Sequence, residues 1–435
     1  MQKFRISGGN SLKGEIDVSS AKNSILPIIA ATILCDDKCV IENFPMLEDV
    51  LVICDVLKSL NVDVNIDETT NTLVIDCKNM NSLNPDESLI RKMRASFLVL
   101  GPLLARFGKA KVYMPGGCNI GLRPIDLHLK GLASLGANIS IANGCVELKA
   151  NRLKGANIYL DFPSVGATEN LIMAATLAEG KTVIENAAKE PEIIDLVIFI
   201  NGMGGDIEGA GTSKIVINGV KKLKGVRHVP IYDRIEAGTY IALAAITKSK
   251  IKIKGVNEEH LRPIISKFYE MGLDINVLGN EMYVNGDVDL NPVNIKTLPH
   301  PGFPTDMQPQ VMALLSLVKG TSTIVETIFE NRFMHVMELR RMGANISIHD
   351  RVGVIEGVKN LVSSRLKVTD LRAGAALILA SLSCRGESEI TNIYHIDRGY
   401  SKIENKLKKL GAKIERVKAR RKDLFFLLVF LFSCE

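Results

Sequence analysis

The sequence predicts an α/β protein of two lobes with three repeats in each, and three observations carry that prediction. A short phrase returns along the chain, an apolar residue, usually Gly, a small residue, a polar residue and then Ile or Val: Leu60-NVDV, Leu135-GANI, Met203-GGDI, Met271-GLDI, Met342-GANI and Leu410-GAKI. Its starts lie 75, 68, 68, 71 and 68 residues apart, which marks six units of similar length. Between the copies run Ala- and Gly-rich segments that are apolar nearly all round, so as helices they must be buried. Finally, 435 residues at 46% hydrophobic exceed one typical core, and six units divide naturally into three and three.

Each repeat follows one order of elements. The apolar helix comes first, expected at Ala21 to Leu34, Arg94 to Phe107, Ala167 to Glu179, Glu236 to Lys248, Asp306 to Lys319 and Arg372 to Cys384. Most of these run into a Gly or a polar turn and then a β-branched strand such as Lys181-TVIENA or Thr321-STIVET. A second, amphipathic helix follows, as in Met334-HVMELRRMGA, with apolar positions three and four apart. The first strands, Lys3 to Val18, precede the first buried helix and therefore complete the last lobe. The expected division is 1–20 with 230–417 as one lobe, 21–229 as the other with a cleft between them, and 418–435 as a tail.

Composition narrows the function. A net charge of +6, from 54 basic and 48 acidic residues, suits anionic small molecules as well as nucleic acid. The absence of Trp and only 5% aromatics argue against a base-stacking surface. Eight scattered cysteines form no CxxC pair and no zinc spacing, which fits a reducing compartment without a structural metal. The N-terminus MQKFRISGGN has no signal-peptide core. At the other end, Lys418-Ala-Arg-Arg-Lys422 precedes LFFLLVFLF, too short for a helix that must span a bilayer with about 20 residues. A basic cluster before an apolar tail suits either contact with a membrane surface or an extension without function.

Two features carry chemistry. The first is Met114 to His128, MPGGCNIGLRPIDLH, where a Pro-Gly-Gly turn presents Cys118 ahead of Arg123, Asp126 and His128. Spacing alone is compatible with a surface turn leading into an ordinary helix and with a reactive thiol beside an anion binder. The second is what opens the buried helices: Lys22 with Asn23, Arg94, Ser164-Val165-Gly166, Arg234 and Glu236, Asp306, and Asp370 with Arg372. Ser and Asp there have an ordinary role as N-caps. Cations oppose the helix dipole, so Lys22, Arg94 and Arg372 mark conflict between local preference and function. No phosphate loop and no dinucleotide fingerprint occurs.

Nine motifs in order then carry a resemblance to a known family: SSAKNS at Ser19, KMRAS at Lys92, MPGGCNIGLRPIDLH at Met114, PSVGAT at Pro163, AAKEPEIIDL at Ala187, FPTDMQ at Phe303, FENRFMH at Phe329, TDLRAG at Thr369 and YHIDRGY at Tyr394. Across Phe4 to Val417 the chain resembles the enolpyruvyl transferases, whose lobes are inside-out α/β barrels of three repeats each. The PGGC loop places it with the branch that uses a UDP-sugar rather than shikimate 3-phosphate. The resemblance implies transfer of enolpyruvate from phosphoenolpyruvate to the 3′-hydroxyl of UDP-N-acetylglucosamine with release of phosphate, the first committed step of peptidoglycan synthesis. It implies a cytoplasmic, monomeric enzyme without cofactor or metal.

By the same resemblance Cys118 is the proton donor, able to form an adduct with phosphoenolpyruvate and alkylated by fosfomycin. Lys22, Arg123 and Arg398, with Asn23, hold phosphoenolpyruvate. Arg94, Arg123, Pro124, Ile125, Asp126, Leu127, Ser164, Val165, Gly166, Asp306, Ile328 and Phe329 line the UDP-sugar. Asp306 takes the hydroxyl proton, and Arg332, Asp370 and Arg372 complete the site. Ser20 stands where Gly is usual, and Leu98 and Asp161-Phe162-Pro163 differ from some members. Transfer to shikimate 3-phosphate and a silent UDP-sugar-binding paralogue are the alternative expectations.

Overall fold

The computed structural model describes residues 2–116, 120, 121 and 125–418. These form two compact units: a split unit, from the described residues of 1–18, 235–297 and 303–435, and a middle unit of 19–234 with 298–302.

Each unit contains three sheets among the described residues, one per repeat. In the third repeat the order is Asp206–Glu208, Lys214–Asn218, Lys181–Glu185, Asn157–Tyr159. The last pair is parallel and the others antiparallel. The same arrangement recurs in the fourth and fifth repeats, with Lys250–Lys254 and Thr321–Val325 as the strands after the buried helix. The second repeat has three strands among the described residues, and Cys77 to Asp86, with three Asn and a Pro, which resist sheet pairing, forms no fourth.

The chain closes each unit by borrowing. Strand Gln2–Gly8 lies antiparallel between Gly386–Thr391 and Lys413–Lys418, with Phe4 opposite Ile390 and Arg416. Lys13–Asp17 runs parallel to Lys250–Lys254. In the middle unit Arg227–His228 supplies the parallel edge for Lys38–Ile41 of the first repeat.

The recurring phrase is a helix end. Asn61 (φ 61°), Gly136 (94°), Gly204 (102°), Gly272 (88°), Gly343 (89°) and Gly411 (89°) all take the left-handed conformation just past the amphipathic helices. Glycine adopts it without a Cβ penalty and Asn tolerates it, which explains why these residue types recur there.

The helices Lys22–Ala31, Leu100–Phe107, Val165–Thr176, Arg234–Ile246, Gln308–Leu315 and Leu371–Ser383 form the buried set. Each unit has its own core packed on them. Small residues allow the approach: a Cβ on Gly374 would stand 2.4 Å from Ile396 Cγ1. Three boundaries differ from expectation. The second and fifth buried helices are entered through 3₁₀ turns, Arg94–Val99 and Thr305–Met307, and the first leaves through Thr32–Leu34.

The division between units also differs from 20 and 229. The two connecting segments run side by side, Ala21 N donating to Ile231 O at 2.7 Å and Asp233 N to Ser19 O at 2.8 Å, which carries the boundary to 234. Residues 298–302, expected with the split unit, belong to the middle one, where His300 N donates to Glu190 Oε1 at 3.3 Å. Among the described residues no helix is long and apolar enough to cross a membrane.

Candidate active site

In the split unit the site is built on Asp306. Its Oδ1 accepts from Arg332 Nη2 at 2.8 Å and its Oδ2 from Arg372 Nη2 at 3.0 Å. Both arginine side chains are almost fully buried, whereas that of Asp306 stays 28% exposed, so the carboxylate is held yet reachable. Asp370 caps Leu371–Ser383, its Oδ1 accepting from the N–H groups of Arg372 (3.0 Å) and Ala373 (3.1 Å). Arg332 Nη1 lies 3.9 Å from the same carboxylate oxygen. The Arg372 cation at a helix N-terminus, unfavourable to the dipole, is thus offset by Asp306 and Asp370.

Two further groups fix this cluster. Arg372 Nη1 donates to Tyr400 OH at 3.3 Å, and that hydroxyl is 2.9 Å from Thr239 Oγ1. Glu326, fully buried, accepts from Ile328 N (2.9 Å), Phe329 N (3.2 Å) and Thr297 Oγ1 (3.0 Å) at Oε1, and from Thr305 Oγ1 (2.9 Å) at Oε2. One carboxylate therefore ties the Ile328–Phe329 loop to the turn that carries Asp306. Arg398 ends the short helix Tyr394–Asp397. Burial and then the Arg398 cation lower the pKa of His395, with Asp370 pulling the other way, so Arg398 and Asp370 act on one imidazole. His335, fully buried, is lowered to about 4, first by burial and also by Arg332, against Asp370.

In the middle unit Lys22 Nζ meets Asp49 Oδ2 at 2.6 Å, with Asp49 buried, and Lys22 N donates to Asp233 Oδ2 at 3.4 Å. The cation at this helix start is compensated by carboxylates distant in sequence. Arg94 opens its 3₁₀ turn half-buried, and burial, then Arg94, hold the neighbouring His128 down to about 3. His128 Nδ1 is 3.1 Å from Asn170 Nδ2, which donates to the neutral ring. The His128 ring packs edge-on to Phe97 at 5.5 Å. It also lies against Gly166, where an added Cβ would sit 3.4 Å from Cε1. Ser164 caps Val165–Thr176 through Ala167 N at 3.4 Å.

The structure thus brings Asp306, Ile328, Phe329, Arg332, Asp370, Arg372 and Arg398 together in the split unit. In the middle unit it sets Arg94 and Gly166 beside His128, with Ser164 and Val165 opening the helix that carries Gly166 and Ile125, Asp126 and Leu127 at the start of the His128 helix. Lys22 and Asn23 open a helix that packs on the Arg94 turn. Cys118, Arg123 and Pro124 lie outside the described residues.

Arg234 and Glu236 are engaged in buried ion pairs rather than offered to a ligand. Arg234 Nε binds Glu192 Oε1 at 2.9 Å, and Lys406 Nζ binds Glu236 Oε1 at 2.7 Å. Burial, then Glu192 and Glu190, push Glu169 beside them well above the carboxylate range. Ser20 is accommodated by donating to Asn43 O at 2.7 Å. Sequence reasoning missed Asp49, Glu326 and Tyr400. Tyr400 lay within a quoted motif, and Glu326 stands one residue past a strand, a position with no signal of its own.

Comparison with known proteins follows the architecture. Residues 6–407 match the family model for EPSP synthase (3-phosphoshikimate 1-carboxyvinyltransferase). The crystal structure of the enolpyruvyl transferase NikO from Streptomyces tendae superposes with a TM-score of 0.88 at 26% identity, covering 96% of this chain and 99% of that one. Architecture and match define the class, the enolpyruvyl transferases. The chain is 61% identical over 417 residues to UDP-N-acetylglucosamine 1-carboxyvinyltransferase 2 of Clostridium tetani, and equally to UDP-N-acetylglucosamine 1-carboxyvinyltransferase 1 of Clostridium acetobutylicum, covering 96% of this chain and 100% of each relative. The chain belongs to the UDP-N-acetylglucosamine 1-carboxyvinyltransferase family.

Proposed function

We propose that the chain transfers the enolpyruvyl group of phosphoenolpyruvate to the 3′-hydroxyl of UDP-N-acetylglucosamine, releasing phosphate, as the first committed step of peptidoglycan synthesis in the cytoplasm, and that it acts as a monomer. The observation that carries the reading, beside the family, is Asp306 held between Arg332 and Arg372 while remaining open to solvent.

The hydroxyl oxygen forms a bond to C2 of phosphoenolpyruvate as a proton is added at C3. Loss of a C3 proton and cleavage of the C2–O bond to phosphate then restore the double bond. An acid and a base must therefore flank the substrates, and cations must balance the phosphate and carboxylate. We assign the base to Asp306 and the acid to Cys118, the latter from its motif. Lys22, Arg123 and Arg398 hold phosphoenolpyruvate. Arg94, Ser164 to Gly166, Ile328 and Phe329 take the UDP-sugar, and Asp370 orders Arg372 and Arg332.

The test is phosphate release from phosphoenolpyruvate with and without UDP-N-acetylglucosamine, repeated after fosfomycin. Release that needs the sugar nucleotide and stops with the drug supports the reading, and Cys118→Ala should then lose drug labelling. Release with shikimate 3-phosphate instead, or with no UDP-sugar at all, overturns the assigned acceptor.

A further inference from the structure

The middle unit holds a cavity of about 1120 Å³ at the end of its helices away from Lys22, Arg94 and Val165. Its wall includes Leu34, Phe107 and Leu177, each at the C-terminal end of one of the three buried helices. At a rise of about 1.5 Å per residue, these helices separate it from their N-terminal ends by roughly 15 Å. Seven lining residues are Lys or Arg and one, Asp36, is acidic. Lys222 pairs with Asp36 at 3.4 Å, Lys149 with Glu147 at 2.9 Å and Arg152 with Glu179. The cations of the wall without a carboxylate partner among the described residues are therefore Arg106, Lys109, Lys154 and Lys221.

Helix C-termini attract cations, and at the end of the first buried helix Arg106 fills that role. Arg106 donates to Ile33 O at 2.9 Å and Cys35 O at 2.8 Å, covering carbonyls at the end of the first buried helix. Lys109, Lys154 and Lys221 come from a strand start and two loops, all exposed, and none is ion-paired among the described residues.

The repeats show that the fold does not require the charges of Lys154 and Lys221. Ala150 N donates to Gly108 O at 2.8 Å and Gly219 N to Gly180 O at 2.9 Å. In the split unit Gly286 N donates to Ser249 O at 2.8 Å and Gly357 N to Gly320 O at 3.0 Å, the same contact at the same place. The residues that follow are Asn151-Arg152-Leu153-Lys154 and Val220-Lys221-Lys222-Leu223 in the middle unit. In the split unit they are Asp287-Val288-Asp289-Leu290 and Val358-Lys359-Asn360-Leu361. Backbone and apolar anchor are kept while the charge is reversed or diluted.

Cations converging on a concave wall focus a positive potential, and the apolar floor of Leu34, Leu104, Phe107, Leu177 and Leu223 suits an organic body. We propose that this cavity is a second ligand site, taking a soluble phosphate ester that carries two or more phosphate groups.

The experiment is calorimetric titration of the full chain with tripolyphosphate and with ATP, on the wild type, K154E/K221E, the split-unit control K359E and Arg372→Ala. The expected result is binding by wild type, K359E and Arg372→Ala, with affinity at least tenfold weaker in K154E/K221E. Phosphate-release rates without added oligophosphate should be unchanged in K154E/K221E. If that double variant does not fold, the single variants K154A and K221A should each weaken binding about threefold, two single-charge effects of the size surface pairs show. Binding unaffected by these substitutions, lost in Arg372→Ala alone, or absent from the wild type while vesicles of anionic phospholipid bind, would overturn the assignment.

Discussion

Glu326 is the sharpest point at which to test how this site is held together. Its carboxylate receives two backbone N–H groups, from Ile328 and Phe329, and two hydroxyls, from Thr297 and Thr305. Glu326→Ala leaves the hydroxyls free to turn elsewhere, but the two N–H groups are fixed in a half-buried loop facing the buried Glu326 position, each costing about 1–3 kcal/mol unless water replaces the acceptor. The expected loss of stability is about 3–5 kcal/mol. Glu326→Gln keeps the shape, and its amide oxygen can serve the three donors at the Oε1 position while its NH₂ donates to Thr305. Only the charge-assisted part is lost, about 1–2 kcal/mol. The functional effect follows from what the carboxylate joins. Misplacing reacting groups by ~1 Å costs about 100-fold, so kcat/KM for UDP-N-acetylglucosamine should fall roughly 10- to 100-fold in Glu326→Ala and far less in Glu326→Gln. Urea denaturation and initial-rate phosphate release measure the two quantities. A Glu326→Ala protein within about 0.5 kcal/mol of wild type, or with unchanged kcat/KM, would refute the reasoning, since exposed substitutions away from such networks have effects of that size.

Three further outcomes are expected. Asp306→Asn keeps the shape between Arg332 and Arg372 but removes the proton acceptor, so kcat should drop by about 100-fold or more with the UDP-sugar still bound; retained turnover excludes Asp306 as the base. Asp49→Ala strands the buried Lys22 ammonium and should cost about 3–5 kcal/mol, measured by denaturation, whereas Lys22→Met with Asp49→Leu should recover much of it while abolishing turnover. His128 is held from its ordinary 6.5 down to about 3, so protonation favours the unfolded chain. Stability from this group is complete above pH 6.5 and is lost as pH falls toward 3, at up to ~1.4 kcal/mol per pH unit. Urea midpoints between pH 7 and 5 should therefore fall less steeply in His128→Gln, and identical slopes would exclude the buried neutral ring.

The two units order their charged groups by different means. In the split unit the charged groups neutralise one another, the carboxylates of Asp306 and Asp370 against the guanidinium groups of Arg332 and Arg372. In the middle unit Lys22 is anchored by Asp49, while His128 is neutral and locked by Asn170 between Phe97 and Gly166. A neutral His128 adds no charge beside Arg94, whose guanidinium suits an anionic substrate.

The sequence by itself determined the repeat and named many residues of the candidate site. Six copies of one helix-ending phrase are legible because a left-handed residue past a helix can be met by very few residue types, and Asn61 with the five glycines satisfies it. The buried helices were legible from their all-round apolarity, and Lys22, Arg94 and Arg372 from cations placed against a dipole. What only the tertiary structure decided is how those charges are balanced. Asp49 is 27 residues from Lys22 and Glu326 is 20 residues from Asp306, separations at which no periodicity or spacing links two residues. The closing of the sixth sheet by Gln2–Gly8, the return of 298–302 to the middle unit and the convergence of Lys109, Lys154 and Lys221 on one cavity depend likewise on contacts that exist only once the chain has folded. Local preference is written along the chain, whereas ion pairing and burial are properties of neighbours in space.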